Sequence, residues 1–445
     1  MSIRAVRPAR AVTEDFTFRS LELSADDFRS LASRFGSPLL VIDCEAVRRQ
    51  YRRLAAALPG VELHYALKPL PHPSVVTTLR DEGASFDLAT TGEVNLVKAQ
   101  GIPPERCIHT HPIKRDCDIR EALRFGVTTF VADNPDEIRK FVRYRKRAEL
   151  LLRVSFRSPD AVCDLSRKFG CEPEAVLELL SVARQHGVRV RGLSFHVGSQ
   201  SSDPAKHVEA VRACGDLIAA ALLAGFPALD TLDIGGGFPV PYQPGVPDIE
   251  AFCAPIRESL AGLAPHVRVI AEPGRYIAAP AGTAVGTVMG RAQRDGRWWY
   301  YLDDGLYGSY SGQLYDHARY PVEVVRAAPG TRVPPSPEEE MGPSPLSSPS
   351  QGEEMGPSPL SSPSQGEEWL PSTLAGPTCD SIDVVAEDIA LPRLEIGDLV
   401  IGRMMGAYTW ASATDFNFFP RARVVALNET PLAGGRVVRL NRTRR

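Results

Sequence analysis

The chain has 445 residues, 43% of them hydrophobic and 24% charged, with a formal net charge of -3. That length exceeds one ordinary core and points to two domains of a soluble, enzyme-sized protein. The charge gives no electrostatic case for nucleic acid or an anionic membrane as partner, and no apolar run approaches the ~18–20 residues of a membrane span. Residues 1–12 are basic but run into Thr13, Glu14 and Asp15 instead of an apolar core, so no signal peptide is visible. Eight cysteines without a paired-spacing framework imply free thiols and a reducing cytoplasm.

In chain order, residues 1–35 read as an N-terminal segment packing on a later β domain, with a short strand around 15–21 and a helix at 25–35. Residues 39–43 and a helix over 44–58 lead into the main body. Strand-like runs follow at 61–68, 84–90, 106–113, 127–133, 149–156, 190–197, 230–236 and 267–273. Amphipathic helical stretches such as 135–144, 172–186 and 204–225 separate them. Eight strand–helix units over roughly 215 residues predict a (β/α)8 barrel within 36–276. Their strands end on Lys68, Asp87, Lys114, Asp133, Arg153, His196, the triplet Gly235-Gly236-Gly237 and Glu272. In a barrel such ends converge on one mouth, where active sites sit.

After Tyr276 the runs become short: 284–289, 298–303, 322–327, 381–385, 398–401 and 421–427. They predict a mostly antiparallel β domain over 277–445. The string EEMGPSPLSSPSQG at 339–352 recurs unchanged at 353–366. Its Pro/Ser/Gly composition cannot bury a core, so about 330–371 reads as a disordered insertion between two strands. Loop closure costs only ~0.6 kcal/mol per doubling of length, which makes such an insert tolerable.

Taken singly, the strand-end residues leave alternatives open. Lys68 could condense with a carbonyl if burial and neighbours lower its amine, or it could reach solvent. The glycine triplet offers bare N–H groups for a phosphate, or simply a turn. Glu272 and Arg275, in EPGRY, suit a protonated ring nitrogen and a phosphate, or a structural ion pair. His196 could be catalytic or a core residue. Cys107, His109, His111 and Cys117 lack the spacing of a zinc site, and no metal is expected. Together, a lysine, phosphate turns, an acid for a ring nitrogen and a flat imidazole describe a pyridoxal 5'-phosphate site.

Ten ordered strings resemble the alanine-racemase-fold pyridoxal-phosphate decarboxylases, within them the eukaryotic-type ornithine decarboxylases. They are YALK (65–68), FDLATTGE (86–93), LSRKFG (165–170), SFHVGSQ (194–200) and DIGGGFP (233–239), then EPGRY (272–276), DGLYGSY (304–310), LYDHA (314–318), GPTCDSID (376–383) and GAYTWASATDFN (406–417). The resemblance implies that Lys68 binds the cofactor aldehyde, His196 stacks on its ring and Glu272 pairs with its nitrogen. Asp87, Glu93 and Arg153 would line the other ring edges. Ser199, Gly236, Gly237, Gly274, Arg275 and Tyr408 would hold the phosphate. It further implies a homodimer with shared active sites. Cys379 of the partner chain would then deliver the proton to Cα, and Asp380 would meet the substrate's distal amine with Tyr315 and Asp316. Lys168 and Asp383 would form an intersubunit salt bridge.

The implied reaction is L-ornithine to putrescine, in polyamine biosynthesis, with L-lysine to cadaverine left open because one methylene is worth only ~1–3 kcal/mol. Diaminopimelate decarboxylases carry Glu after this Cys where the present chain has Asp380, which disfavours that alternative. A catalytically dead, antizyme-inhibitor-like binding protein is the other alternative. It is disfavoured because Lys68, His196, Glu272, Arg275 and Cys379 are all present.

Overall fold

The computed structural model describes residues 23–156, 167–327 and 368–429. The strand expected at 15–21 and the repeats at 339–366 lie outside them. A helix at Ala25–Phe35 opens the described chain, started by a capping box in which Ser24 and Asp27 satisfy each other's backbone N–H. β1 (Leu39–Asp43) follows. Residues 39–43, expected to lead into the barrel, belong instead to the second domain's sheet, pairing with strands that arrive some 240 and 380 residues later. The reason is its two-sided burial: Leu39 and Val41 pack with Phe28 and Leu31, while Leu40 and Ile42 face the barrel's outer core.

Eight parallel strands then close a barrel in sequence order: β2 (Glu62–Ala66), β3 (Ser85–Leu88), β4 (Cys107–His109), β5 (Thr129–Ala132), β6 (Glu149–Val154), β7 (Arg189–Phe195), β8 (Thr231–Asp233) and β9 (Arg268–Ala271). Each falls inside a predicted run or within one residue of it. Alternation along the strands separates two packing faces. Phe130, Ala132, Leu150 and Leu152 join the large core beneath the helices, while Ile108, Val131, Leu151 and Ile270 form a small cluster of their own, as the inward face of a barrel requires.

The second sheet contains β10 (Gly282–Arg294), β11 (Arg297–Leu302), β12 (Val322–Val325), β13 (Trp369–Ala375), β14 (Val384–Pro392), β15 (Leu399–Gly402) and β16 (Arg423–Leu427), with β1 as an eighth member. Its order is β12-β15-β10-β11-β13-β14, and β1 bridges β10 and β16. All pairings are antiparallel except β1 with β16 and β11 with β13. β13 corrects the predicted insertion, whose last residues 369–371 are strand. Pro371 and Ser372 mask a strand whose last four residues, Ser372 to Ala375, are all buried. The strand expected at 381–385 begins at Val384, because 381–383 form the turn that follows Cys379. No described helix is long and apolar enough to cross a membrane. The seven cysteines among the described residues are all free.

Candidate active site

The C-terminal ends of the barrel strands bring most of the predicted residues together. Lys68 follows β2, opens on the mouth and senses Tyr408, Asp87 and Glu272. Burial works to lower its amine, but those three acidic groups outweigh it and hold the amine above its ordinary value. The expected lowering toward neutrality is therefore absent, because a phenol and two carboxyls act on the amine together. Asp87, on β3, is pushed up to about 7 by burial and by Glu272, while the Thr110 hydroxyl donates to it at 2.5 Å. Glu93 is also raised to about 7 by burial; it accepts N–H groups from Ala89 at 2.5 Å and Thr90 at 3.2 Å, closing the cap of its own helix.

Glu272, just past β9, lies close enough to Asp233, at the end of β8, for that carboxyl to bear on its charge. Burial and the neighbouring Asp233 raise Glu272 well above the carboxylate range, and burial lifts Asp233 to about 7. Two carboxyls this close retain a proton between them. Arg153, on β6, senses Glu272, Asp133, Asp233 and Asp87, and its guanidinium stacks 5.5 Å from the Phe169 ring. His196 follows β7 and accepts the Gly198 N–H on Nδ1 at 3.0 Å. Burial, then Arg153 and Lys68, lower it far enough to keep the imidazole neutral, with its proton on Nε2.

A second cluster gathers around Arg275. Its Nε and Nη2 donate to the Ser199 hydroxyl at 3.2 and 3.0 Å, and Nη2 also meets Asp316 at 2.7 Å. The guanidinium lies 4.7 Å over the Tyr408 ring, which the sheet domain supplies. Gly236 and Gly237 carry N–H groups that nothing in the described chain accepts. A Cβ on Gly236 would stand 2.8 Å from the Glu272 carbonyl oxygen and 3.2 Å from His196 Nε2. On Gly274 it would strike Pro69 at 2.7 Å. Side chains are excluded there because neighbouring backbone and Pro69 already pack against these glycines.

Two strand-end residues serve structure instead. Lys114 is buried against Glu137 at 2.9 Å and donates to Val131 O at 2.5 Å. Asp133 accepts the Gly170 N–H at 2.9 Å. His109 is buried beside Phe130, whereas His111 lies against Phe169 and Cys117 is exposed, so these do not form one cluster. Cys379 and Asp380 make no hydrogen bond or ion pair with Lys68 among the described residues. Cys379 is exposed and its N–H donates to Asn417 Oδ1 at 3.2 Å, while Asp380 accepts from the Tyr307 hydroxyl. Tyr315 is 55% exposed. Asp383, expected in a salt bridge between subunits, is 2% exposed and accepts from Leu306 N and from both N–H and hydroxyl of Thr378. These hydrogen bonds hold the turn that presents Cys379.

Residues 44–279 match the family described as pyridoxal-dependent decarboxylase, pyridoxal binding domain. The chain belongs to this family. The decarboxylase is 33% identical over 414 residues to the lysine/ornithine decarboxylase of Selenomonas ruminantium, covering 93% of this chain and 95% of that protein. It is 33% identical to the ornithine decarboxylase of Schizosaccharomyces pombe, over 87% of this chain and 83% of that protein. The structure of lysine/ornithine decarboxylase from Vibrio vulnificus complexed with putrescine is 51% identical, with a TM-score of 0.79, covering 92% of this chain and all of that one. The arginine decarboxylase of Paramecium bursaria Chlorella virus, bound to agmatine, is 26% identical with a TM-score of 0.78, over 91% of this chain and 100% of that one.

Pyridoxal phosphate is the family's cofactor, and the donor set of this decarboxylase fits it. Bare N–H groups, a hydroxyl and a guanidinium at one cluster suit a phosphate; a proton-holding carboxyl pair at the other suits a pyridine nitrogen. Sequence reasoning missed Asp233, Thr110, Tyr242 and His207. Asp233 carried a signal, as a charged residue between Leu232 and Ile234 just before the glycine triplet. Tyr242, whose hydroxyl lies 3.4 Å from Arg275, sits in a Pro-rich loop with no pattern to mark it.

Proposed function

We propose that this decarboxylase converts L-ornithine to putrescine and accepts L-lysine, giving cadaverine, in the cytoplasm as a homodimer. The Cys379–Asp380 pair carries the reading. The hydrogen bond from Tyr307 holds the Asp380 carboxyl below its ordinary range, so it is ionised at neutral pH. A bare carboxylate suits the terminal ammonium of ornithine or lysine, and losing one member of such a desolvated pair costs ~2–5 kcal/mol. The names borne by the similar Selenomonas and Vibrio enzymes agree with it.

The dimer follows from what surrounds that pair. Tyr315, Ile382, Phe416 and Phe418 are 55%, 51%, 42% and 95% exposed, an apolar surface beside the exposed Cys379 thiol. A second copy covering this face would complete each site with the other's Cys379 and Asp380.

Pyridoxal phosphate, when bound, supplies an electron sink for the pair released as the Cα–carboxylate bond breaks. The residues do the rest. Lys68 would carry the cofactor through its ε-amine after giving up a proton. Glu272 would present its proton to the ring nitrogen, with Asp233 fixing its carboxyl. Neutral His196 would stack on the ring without adding charge. Ser199, Arg275, Tyr408 and the Gly236, Gly237 and Gly274 turns would seat the phosphate, and Asp87, Glu93 and Arg153 would bound the ring. Cys379 Sγ would return a proton to Cα, while Asp380, with Tyr315 and Asp316, would receive the distal amine.

Purified protein loaded with cofactor should release carbon dioxide from ornithine and lysine, with putrescine and cadaverine as products. Release from diaminopimelate or arginine instead would overturn the substrate assignment, and no release from any of the four would overturn the activity.

A further inference from the structure

Gln200 adopts a left-handed backbone, with φ at 58°, that a non-glycine residue enters only at a cost. Its side chain accounts for the exception. The amide Nε2 donates to the Val240 carbonyl at 2.5 Å and Oε1 accepts the Val240 N–H at 3.0 Å. One side-chain amide thus stands where a neighbouring strand's peptide group would, joining the loop after β7 to the loop after β8. A third bond lies alongside, from Ser201 N–H to the Gly237 carbonyl at 3.0 Å. From the far side, His207 Nε2 bonds the Gly236 carbonyl at 3.0 Å, and burial keeps that ring neutral. The loops touch so closely that a Cβ on Gly237 would fall 2.5 Å from Gly198 O.

We infer that Gln200 is a positioning residue that clamps these two loops into one rigid cradle for the cofactor phosphate. The inference rests on the reading that Ser199, Gly236 and Gly237 hold that phosphate. Ser199 immediately precedes Gln200 and is already engaged by Arg275, while Gly236 and Gly237 precede Val240 by four and three residues. Loss of the amide leaves two loops free to part, each carrying some of the phosphate donors. Only a carboxamide offers a donor and an acceptor on one plane at this reach; a carboxylate keeps the acceptor alone.

The test measures equilibrium affinity of the apoprotein for pyridoxal phosphate and for pyridoxal, which lacks the phosphate, by absorbance titration, with apoprotein melting recorded alongside. Gln200→Ala and Gln200→Glu should weaken pyridoxal phosphate about tenfold, the loss of two hydrogen bonds, while pyridoxal changes far less. Gln200→Gly separates clamp from backbone, because it removes the amide yet suits the left-handed conformation. The clamp requires Gly to bind as weakly as Ala. Gly as tight as wild type, or equal losses for both ligands, would overturn the inference while leaving the cofactor reading intact. Wild-type protein that binds neither ligand would overturn both.

Discussion

Arg275 and Asp316 meet at 2.7 Å where the barrel joins the sheet domain, with their side chains only 7% and 13% exposed. The same guanidinium holds Ser199, so the carboxylate expected at the substrate's distal end is tied to the phosphate end as well. Removing one member of a buried pair leaves the other uncompensated, at a cost of roughly 3–5 kcal/mol. Asp316→Ala should therefore lower the apoprotein's melting temperature and weaken pyridoxal phosphate binding. A variant with wild-type cofactor affinity and a raised KM alone would show that Asp316 serves the substrate only.

Tyr408, Asp87 and Glu272 jointly act on the Lys68 amine. Lys68→Ala should abolish the visible absorbance band that a lysine-bound cofactor produces and reduce turnover by several orders of magnitude. An unchanged spectrum would refute the assignment.

Asp233 and Glu272 predict a pH dependence. Burial lifts Asp233 from 3.8 to about 7, so the folded chain binds more protons than the unfolded one across that window. Stability drawn from this group is then complete below about pH 4 and is lost as pH rises toward 7, the reverse of a salt-bridged carboxylate. Asparagine keeps the shape without the titration. Apoprotein carrying Asp233→Asn should gain on wild type progressively between about pH 4 and 7 in denaturant unfolding, by up to a few kcal/mol. A pH-independent difference would contradict the raised value.

Asp380 lies on a turn presented by Asp383 and Thr378 and accepts from Tyr307, with no contact to the Lys68 cluster among its described hydrogen bonds. Asp380→Ala should raise KM for ornithine by about 30-fold or more, matching ~2–5 kcal/mol for a buried charge pair, with cofactor affinity unchanged. Mixed dimers of Asp380→Ala and Lys68→Ala should recover close to a quarter of wild-type activity, since random pairing gives half mixed dimers with one intact site each. Absence of recovery would place Asp380 in the site of its own chain.

Much of the barrel was readable because each strand is buried on both faces and ends at a charged or glycine residue. Glu62–Ala66 and Thr129–Ala132 are short apolar runs that no solvent face obscures. Periodicity placed Lys68, Asp87, Arg153, His196 and Glu272 at strand ends alongside Lys114 and Asp133, and only the family resemblance singled out the first five as site residues. Trp369–Ala375 was hidden because its proline and serine continue a Pro/Ser-rich stretch, and local composition outweighed a pairing made with β11 some 70 residues earlier. Asp233 was overlooked because only the fold sets it against Glu272.

Residue order alone determined the repeating strand–helix units, the reactive ends of the strands and the phosphate-type turns, since each is a pattern within about ten neighbouring positions. Tertiary structure decided which carboxyls keep a proton, that Lys68 is held charged instead of lowered, that β1 crosses into the second sheet, and that Arg275 spans both ends of the site. Those outcomes depend on burial and on charges from distant segments, and neither quantity is carried by any local stretch of chain.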